Sequence, residues 1–190
     1  TFRALANEAG LAASHLMAGV TALGKVNYAE RAYYYQAFFS LSVGIERACK
    51  LILICDHMVK NGGTAPSEKT VRGFGHNLEE LIAKVDEVAS DVDLDFPRPA
   101  SPIHGEMLRI LSTFAINGTR YYNIDTVLGK ATEHGDPVAD WYTNVVLNCW
   151  ENCVRVLGHQ RRPYRERPSG RFPHGSVRLC SSHVRRGRIA

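Results

Sequence analysis

The 190-residue sequence predicts an all-α fold, a bundle of five to six helices built on a long antiparallel pair. Three observations predict it. Apolar residues recur at spacings of three and four in the long segments, which places them on one face of a helix. No segment sustains the period-two alternation of a half-buried strand. Start and stop signals fall between the periodic segments: Asn77 before Leu-Glu-Glu, Ser101-Pro102, Asp136-Pro137, and Asn-Gly-Gly at 61–63.

Residues 4–24, rich in Ala and Leu, read as the first helix, weakened by Gly10 and Gly19. A long helix follows from Tyr28 to about Asn61, with Phe38, Leu41, Ile45, Ala48, Cys49, Ile52, Cys55 and Val59 as one apolar face. Glu46 and Lys50, four apart, stand in the favourable order for a surface pair. Residues 64–76 read as a loop. Asn77 then caps a helix striped by Leu78, Leu81, Ile82, Val85 and Val88, with Glu80 placed to reach back as in a capping box. Acids and prolines at 91–102 break the chain. Ile103, Met107, Ile110, Leu111 and Phe114 line the next helix, up to about Gly118. The last helix runs from Pro137 to Gly158, with Val138, Trp141, Val145, Cys149, Trp150 and Leu157 inward.

The domain reading is one bundle over 1–158 and an irregular Arg-rich tail over 159–190. Charge divides the same way. The bundle holds 14 Lys and Arg against 18 Asp and Glu, a net −4; the tail holds nine Arg, no Lys and one Glu, a net +8. The tail's prolines and glycines, without apolar periodicity, do not build a core. It reads as a partner-held or solvated arm, with nucleic-acid binding as the sharper alternative. Arg without Lys is also what out-of-frame translation of GC-rich DNA gives.

The longest apolar run, Leu51 to Cys55, is far short of a membrane span. The first ten residues carry no apolar core of a secretion signal. The expected setting is cytoplasmic and reducing, with no membrane contact. Of the five cysteines, 49, 55, 149, 153 and 180, none forms a Cys-x-x-Cys pair. Cys149 and Cys153 share a helical face, yet a metal would need two further ligands. Buried structural thiols are the expectation, with no metal and no cofactor.

Three stretches together resemble the HEPN superfamily of small helical bundles, over roughly residues 28–125. "AERAYYYQAFFSLSVGIERACKLIL" (29–53) is similar to that family's long helix, with Tyr33, Gln36, Glu46 and Lys50 at its marked positions. "GHNLEELI" (75–82) is similar to its His-polar-Leu helix start. "TRY" (119–121) is similar to the Arg-Tyr that closes a later helix. The resemblance implies a homodimer, and a setting among bacterial accessory, toxin–antitoxin or defence genes, beside a nucleotidyltransferase or antitoxin partner.

Many HEPN proteins are metal-independent ribonucleases with an Arg, four to six residues, then a His. Imidazole moves a proton near neutral pH and guanidinium holds a phosphate. From Arg120 that window holds Asp125 and no His before His134. An ionised Asp repels phosphate and is a poor proton donor. Arg72 and His76 are one residue too close, and Arg98 and His104 flank a proline loop. The sequence therefore predicts no catalytic residue, with Arg120, Asn123, Asp125 and His76 as the residual candidates for a divergent ribonuclease. The bland alternative pairs Arg120 with a helix-end carboxylate and packs Tyr121 and Tyr122 across the bundle.

Consecutive helical residues diverge by 100°, so Tyr33, Tyr34 and Tyr35 cannot all point inward. With Phe38 and Phe39 they form the expected dimer surface, so Tyr33, Tyr34, Phe38, Arg120 and Tyr121 are the predicted binding or interface residues. The Gly73-Phe-Gly75 pair lacks a preceding strand and reads as a turn rather than a phosphate loop. The functional expectation is a HEPN-like dimeric binding protein, not an enzyme.

Overall fold

The computed structural model describes residues 2–27, 29–94, 99, 101–116, 118–130 and 134–150. The expectations for the tail, Arg98, Cys153, Cys180 and Leu157 lie outside these. The chain order is α1 (Phe2–Leu23), α2 (Ala32–Lys60), α3 (Glu68–Gly73), α4 (Leu78–Asp91), α5 (Pro102–Ala115), α6 (Tyr122–Val127) and α7 (Pro137–Trp141), which continues as a π-helical turn, Tyr142–Val146. Among the described residues there is no strand, so the all-α expectation holds. No described helix is long and apolar enough to cross a membrane.

The long pair is α1 with α2, and it is antiparallel. Glu8 on α1 meets Arg47 on α2 at 2.6 Å, Leu16 lies over Gly44, and Gly19 lies under Leu41. As the numbers rise on one helix they fall on the other. A methyl group added to Gly19 would sit 2.5 Å from the Leu41 Cγ, and one on Gly44 would sit 2.9 Å from the Leu16 backbone nitrogen. Gly19 thus weakens the helix locally and permits its closest packing.

The opposite side of α2 faces α4, α5 and α7 across an aromatic core. Phe38 touches Phe114 edge-on at 5.8 Å between centroids and Trp141 at 5.1 Å. Leu78, Leu81 and Ile110 close around them. Because α2 is covered on two sides, its buried residues do not form one stripe. Leu53 is buried, whereas Ile52 and Val59, expected inward, are exposed.

The segment 64–76, expected as a loop, contains a short helix: Ser67 caps α3 by accepting from the Thr70 N–H. A second short helix, α6, forms in the 120s, to which no element was assigned. At the end of α2, Gly62 and Gly63 both have positive φ, and the Gly63 N–H donates back to Met58 at 2.7 Å. This is the glycine-assisted stop that the sequence marked. Cys149 and Trp150, expected inward, are exposed, Trp150 by 69%. The π turn adds a residue to the helical register, rotating the next residues away from the face that a 3.6-residue repeat assigns.

Candidate functional site

Helix α4 begins where the sequence placed it, by a mechanism that only the fold reveals. Asn77 Oδ1 accepts from the Glu79 and Glu80 N–H groups, and its amide donates to the Glu80 carboxylate at 3.1 Å. Glu80 therefore binds the capping side chain, in place of the backbone N–H of a capping box. Ser112, buried on α5, completes the cap from outside. Its hydroxyl accepts from the Leu78 N–H at 3.1 Å and donates to Asn77 Oδ1 at 2.9 Å. This fixes the residue before the cap, His76, against α2. There the imidazole Nδ1–H donates to Glu46 Oε1 at 3.0 Å, and Lys50 donates to the same oxygen at 2.8 Å. An ionised carboxylate only accepts, so Nδ1 carries the proton and Nε2 is the free ring nitrogen. The His76 side chain is 68% exposed.

Arg120 reaches the same face from the end of α5. Its guanidinium donates to the Ala115 carbonyl at 3.3 Å, one of the carbonyls that a helix leaves unpaired at its last turn. The group lies 5.4 Å from the Phe39 ring centroid and 5.7 Å from that of Phe114. No carboxylate pairs with it among the described residues. Its Nε and the neighbouring Thr119 hydroxyl are buried without a hydrogen-bond partner.

Arg120, Phe39, Val43, Glu46, His76, Asn77, Ala115 and Ile116 line one groove of about 580 Å³. Phe39, Val43 and Glu46 follow one another at spacings of four and three along α2, forming its floor over about 10 Å. The guanidinium stands at one end and the Glu46–His76–Lys50 group at the other. Distant parts of the chain meet here, which linear spacing from Arg120 does not register.

Asn123 and Asp125, proposed to cluster with Arg120, have other neighbours. Asp125 pairs with Lys130 at 3.3 Å. Asn123 lies beside the buried Tyr35 hydroxyl, which makes no hydrogen bond of good geometry. Neither lines the groove. Arg120 binds a helix-end carbonyl where a carboxylate was expected. Tyr121, read both as an interface residue and as packing across the bundle, is exposed; Tyr122 is half-buried. The aromatic patch needs correction. Tyr34 and Phe38 are buried in the chain's own core, Tyr33 is half-buried, and Phe39, at 46% exposure, is the ring that reaches the surface. The outward position on this part of α2 falls at residue 39 because α4, α5 and α7 take the face containing Phe38. Arg72 pairs with Glu68 on exposed α3, away from the groove.

A second cavity, of about 280 Å³, lies between the starts of α2 and α7 and is lined by Arg31, Tyr34, Asp136 and Tyr142 among others. Its charges are matched. Asp136 accepts from Arg31 with one oxygen and from the Val138 N–H with the other. No group of three or more potential metal ligands occurs among the described residues. Comparison with protein-family models, curated proteins and solved structures returned no match.

Proposed function

We propose that this chain is a HEPN-like, dimeric binding protein whose groove takes an anionic group, phosphate or carboxylate, of its partner at Arg120. One observation carries the reading: a half-buried guanidinium with no carboxylate partner among the described residues, opening on a groove. Withdrawing a charge from water without a counter-charge is costly, and an incoming anion offsets that cost. The unpartnered Arg120 Nε and Thr119 hydroxyl beside it mark the same spot. The HEPN part rests on the resemblance and draws support from the convergence of Glu46, His76 and Arg120. These come from the three separate stretches that carry it. A nucleotidyltransferase or antitoxin partner is what the resemblance implies for the ligand's source.

A divergent metal-independent ribonuclease is the second reading, favoured by His76 rather than Asp125. Its Nδ1 is held by Glu46 and its Nε2 is free, a disposition suited to moving a proton beside a phosphate held by Arg120. Binding through the Arg-rich tail concerns residues outside those described.

Titration with inorganic phosphate and with acetate, followed by NMR at the Arg120 side chain and the His76 ring, tests the first reading. Saturable shifts at Arg120 are expected. Arg120→Gln weakens binding about 10- to 100-fold, the worth of a charge-assisted hydrogen bond. An unresponsive Arg120 resonance rejects the reading. Cleavage of a single-stranded RNA in the presence of a chelator, abolished by both His76→Gln and Arg120→Gln, would establish the second.

A further inference from the structure

The groove at Arg120 has two unlike ends, and together they specify more of a ligand than its charge. At the first end the guanidinium lies over the Phe39 ring, and its one oxygen partner among the described residues is the neutral Ala115 carbonyl. At the second end Glu46 accepts from both Lys50 and His76 with the same oxygen, Oε1. Its Oε2 makes no hydrogen bond among the described residues, and Nε2 is the free acceptor of the His76 ring. Lys50 balances the charge of Glu46, so this end offers hydrogen-bond acceptors with no net charge. Between the ends the lining is apolar: Val43 on α2, with Ala115 and Ile116 at the end of α5.

We propose that the groove takes the C-terminal end of a partner polypeptide in extended conformation. The terminal carboxylate lies on Arg120, an apolar last side chain packs against Val43 and Ile116, and a backbone N–H of the third residue from the end donates to Glu46 Oε2 or His76 Nε2. The inference rests on the anion-binding reading given above and names the class of ligand. Each part of the groove supports it. One uncompensated guanidinium matches the single charge of a carboxylate, which it can hold through two N–H groups. The floor from Phe39 to Glu46 is about 10 Å long, and an extended chain advances about 3.3 Å per residue, so about three residues span it. A peptide carries an N–H at every step and so has a donor for the far end.

Other ligands match only in part. A fatty acid suits Arg120 and the apolar middle but brings no donor to Glu46. A nucleic acid would set its sugars on the apolar floor and turn a following phosphate toward a carboxylate. Phe39 and Ile116 are 46% and 50% exposed, so the groove lies open along its length. That form suits a chain lying across the surface, whereas small-molecule sites enclose most of their ligand.

NMR titration of the full chain with N-acetyl-Ala-Ala-Leu tests the inference, beside acetate, phosphate, octanoate, a uridine trinucleotide and the same peptide as its C-terminal amide. The free-acid peptide should shift Arg120, Ile116 and His76 together and bind at least about tenfold tighter than acetate. The amide should bind at least about tenfold more weakly than the acid. Val43→Asp sets a carboxylate in the floor and should weaken the peptide at least about tenfold; Ile116→Asp should do the same from an exposed position that does not endanger folding. An amide as tight as the acid, or peptide binding indifferent to Ile116→Asp, would overturn the proposal. So would octanoate or the trinucleotide binding as tightly as the peptide. If acetate and phosphate move Arg120 while the peptide gains nothing over acetate, the peptide inference falls and the anion-binding reading stands. If no ligand moves Arg120, both fall.

Discussion

Helix α2 is held by two kinds of packing, one on each side. Toward α1 the contact is made of absences: Gly19 and Gly44 let the backbones approach until leucines rest on main chain. Toward α4, α5 and α7 it is made of bulk, with Phe38, Phe114 and Trp141 filling the space between axes. The first interface fails when an atom is added, the second when atoms are removed. Among the described residues α1 packs mainly on α2, whereas the helices of the aromatic side also contact one another. The aromatic side should therefore carry the larger share of stability, and α1 should respond to local changes with less effect on the rest.

Phe38→Ala is expected to give the largest effect, a loss of about 3–5 kcal/mol in denaturant unfolding, because the ring is fully buried and contacts three other aromatics. Against a typical total of about 5–15 kcal/mol, that leaves a marginal fold. A loss under about 1 kcal/mol would show that the comparison assigns the core to the wrong side of α2.

Two glycines on one helix give the next test. Gly19→Ala adds a methyl group where Leu41 stands and should cost about 1–3 kcal/mol. Gly10→Ala adds one in open space and should stabilise by up to about 1 kcal/mol through helix propensity alone. Thermal unfolding at low protein concentration, where pairing of copies does not contribute, measures both. Equal effects would mean that propensity, and not close approach, governs α1.

Much of this was legible in the sequence. Asn77 and Asp136 each cap the helix they were read to start, because capping is a local interaction between a side chain and the next two or three N–H groups. Ser101 also precedes its helix but makes no side-chain cap bond, and the proline in the first turn marks that start. The Asn-Gly-Gly stop is equally local. What escaped was non-local or too short to have a period. α3 and α6 have six residues each, less than two turns, so no apolar stripe defines them. The π turn in α7 leaves no mark in a 3.6-residue pattern, and so Trp150 was assigned to the wrong face. Ser112 reads as an ordinary helix residue until α4 is docked on it. Arg120 and His76 were both singled out, but a motif search along the chain ties a histidine to the residues after the arginine. Here the imidazole precedes it by 44 positions and arrives through the packing of α4 on α2.

The smallest effect expected is at Tyr35, on the border between the two sides of the comparison. Its ring packs on Phe114 at 6.4 Å. Burial raises the hydroxyl above its ordinary pKa of 10.0, and the Asp136 carboxylate adds to this while Arg31 partly opposes it. The folded chain thus holds this proton more tightly than the unfolded chain does. The resulting contribution is present in full below about pH 10 and is lost as pH rises through the folded-state value. Tyr35→Phe removes the titration. It also removes a buried hydroxyl without a well-formed hydrogen bond, so stability near neutral pH should change by no more than about 1 kcal/mol. The informative quantity is the difference in melting temperature between variant and wild type, tracked from about pH 7 to about pH 11. That difference should turn in the variant's favour on the alkaline side. A difference that stays flat would place the hydroxyl in contact with water and move Tyr35 out of the core.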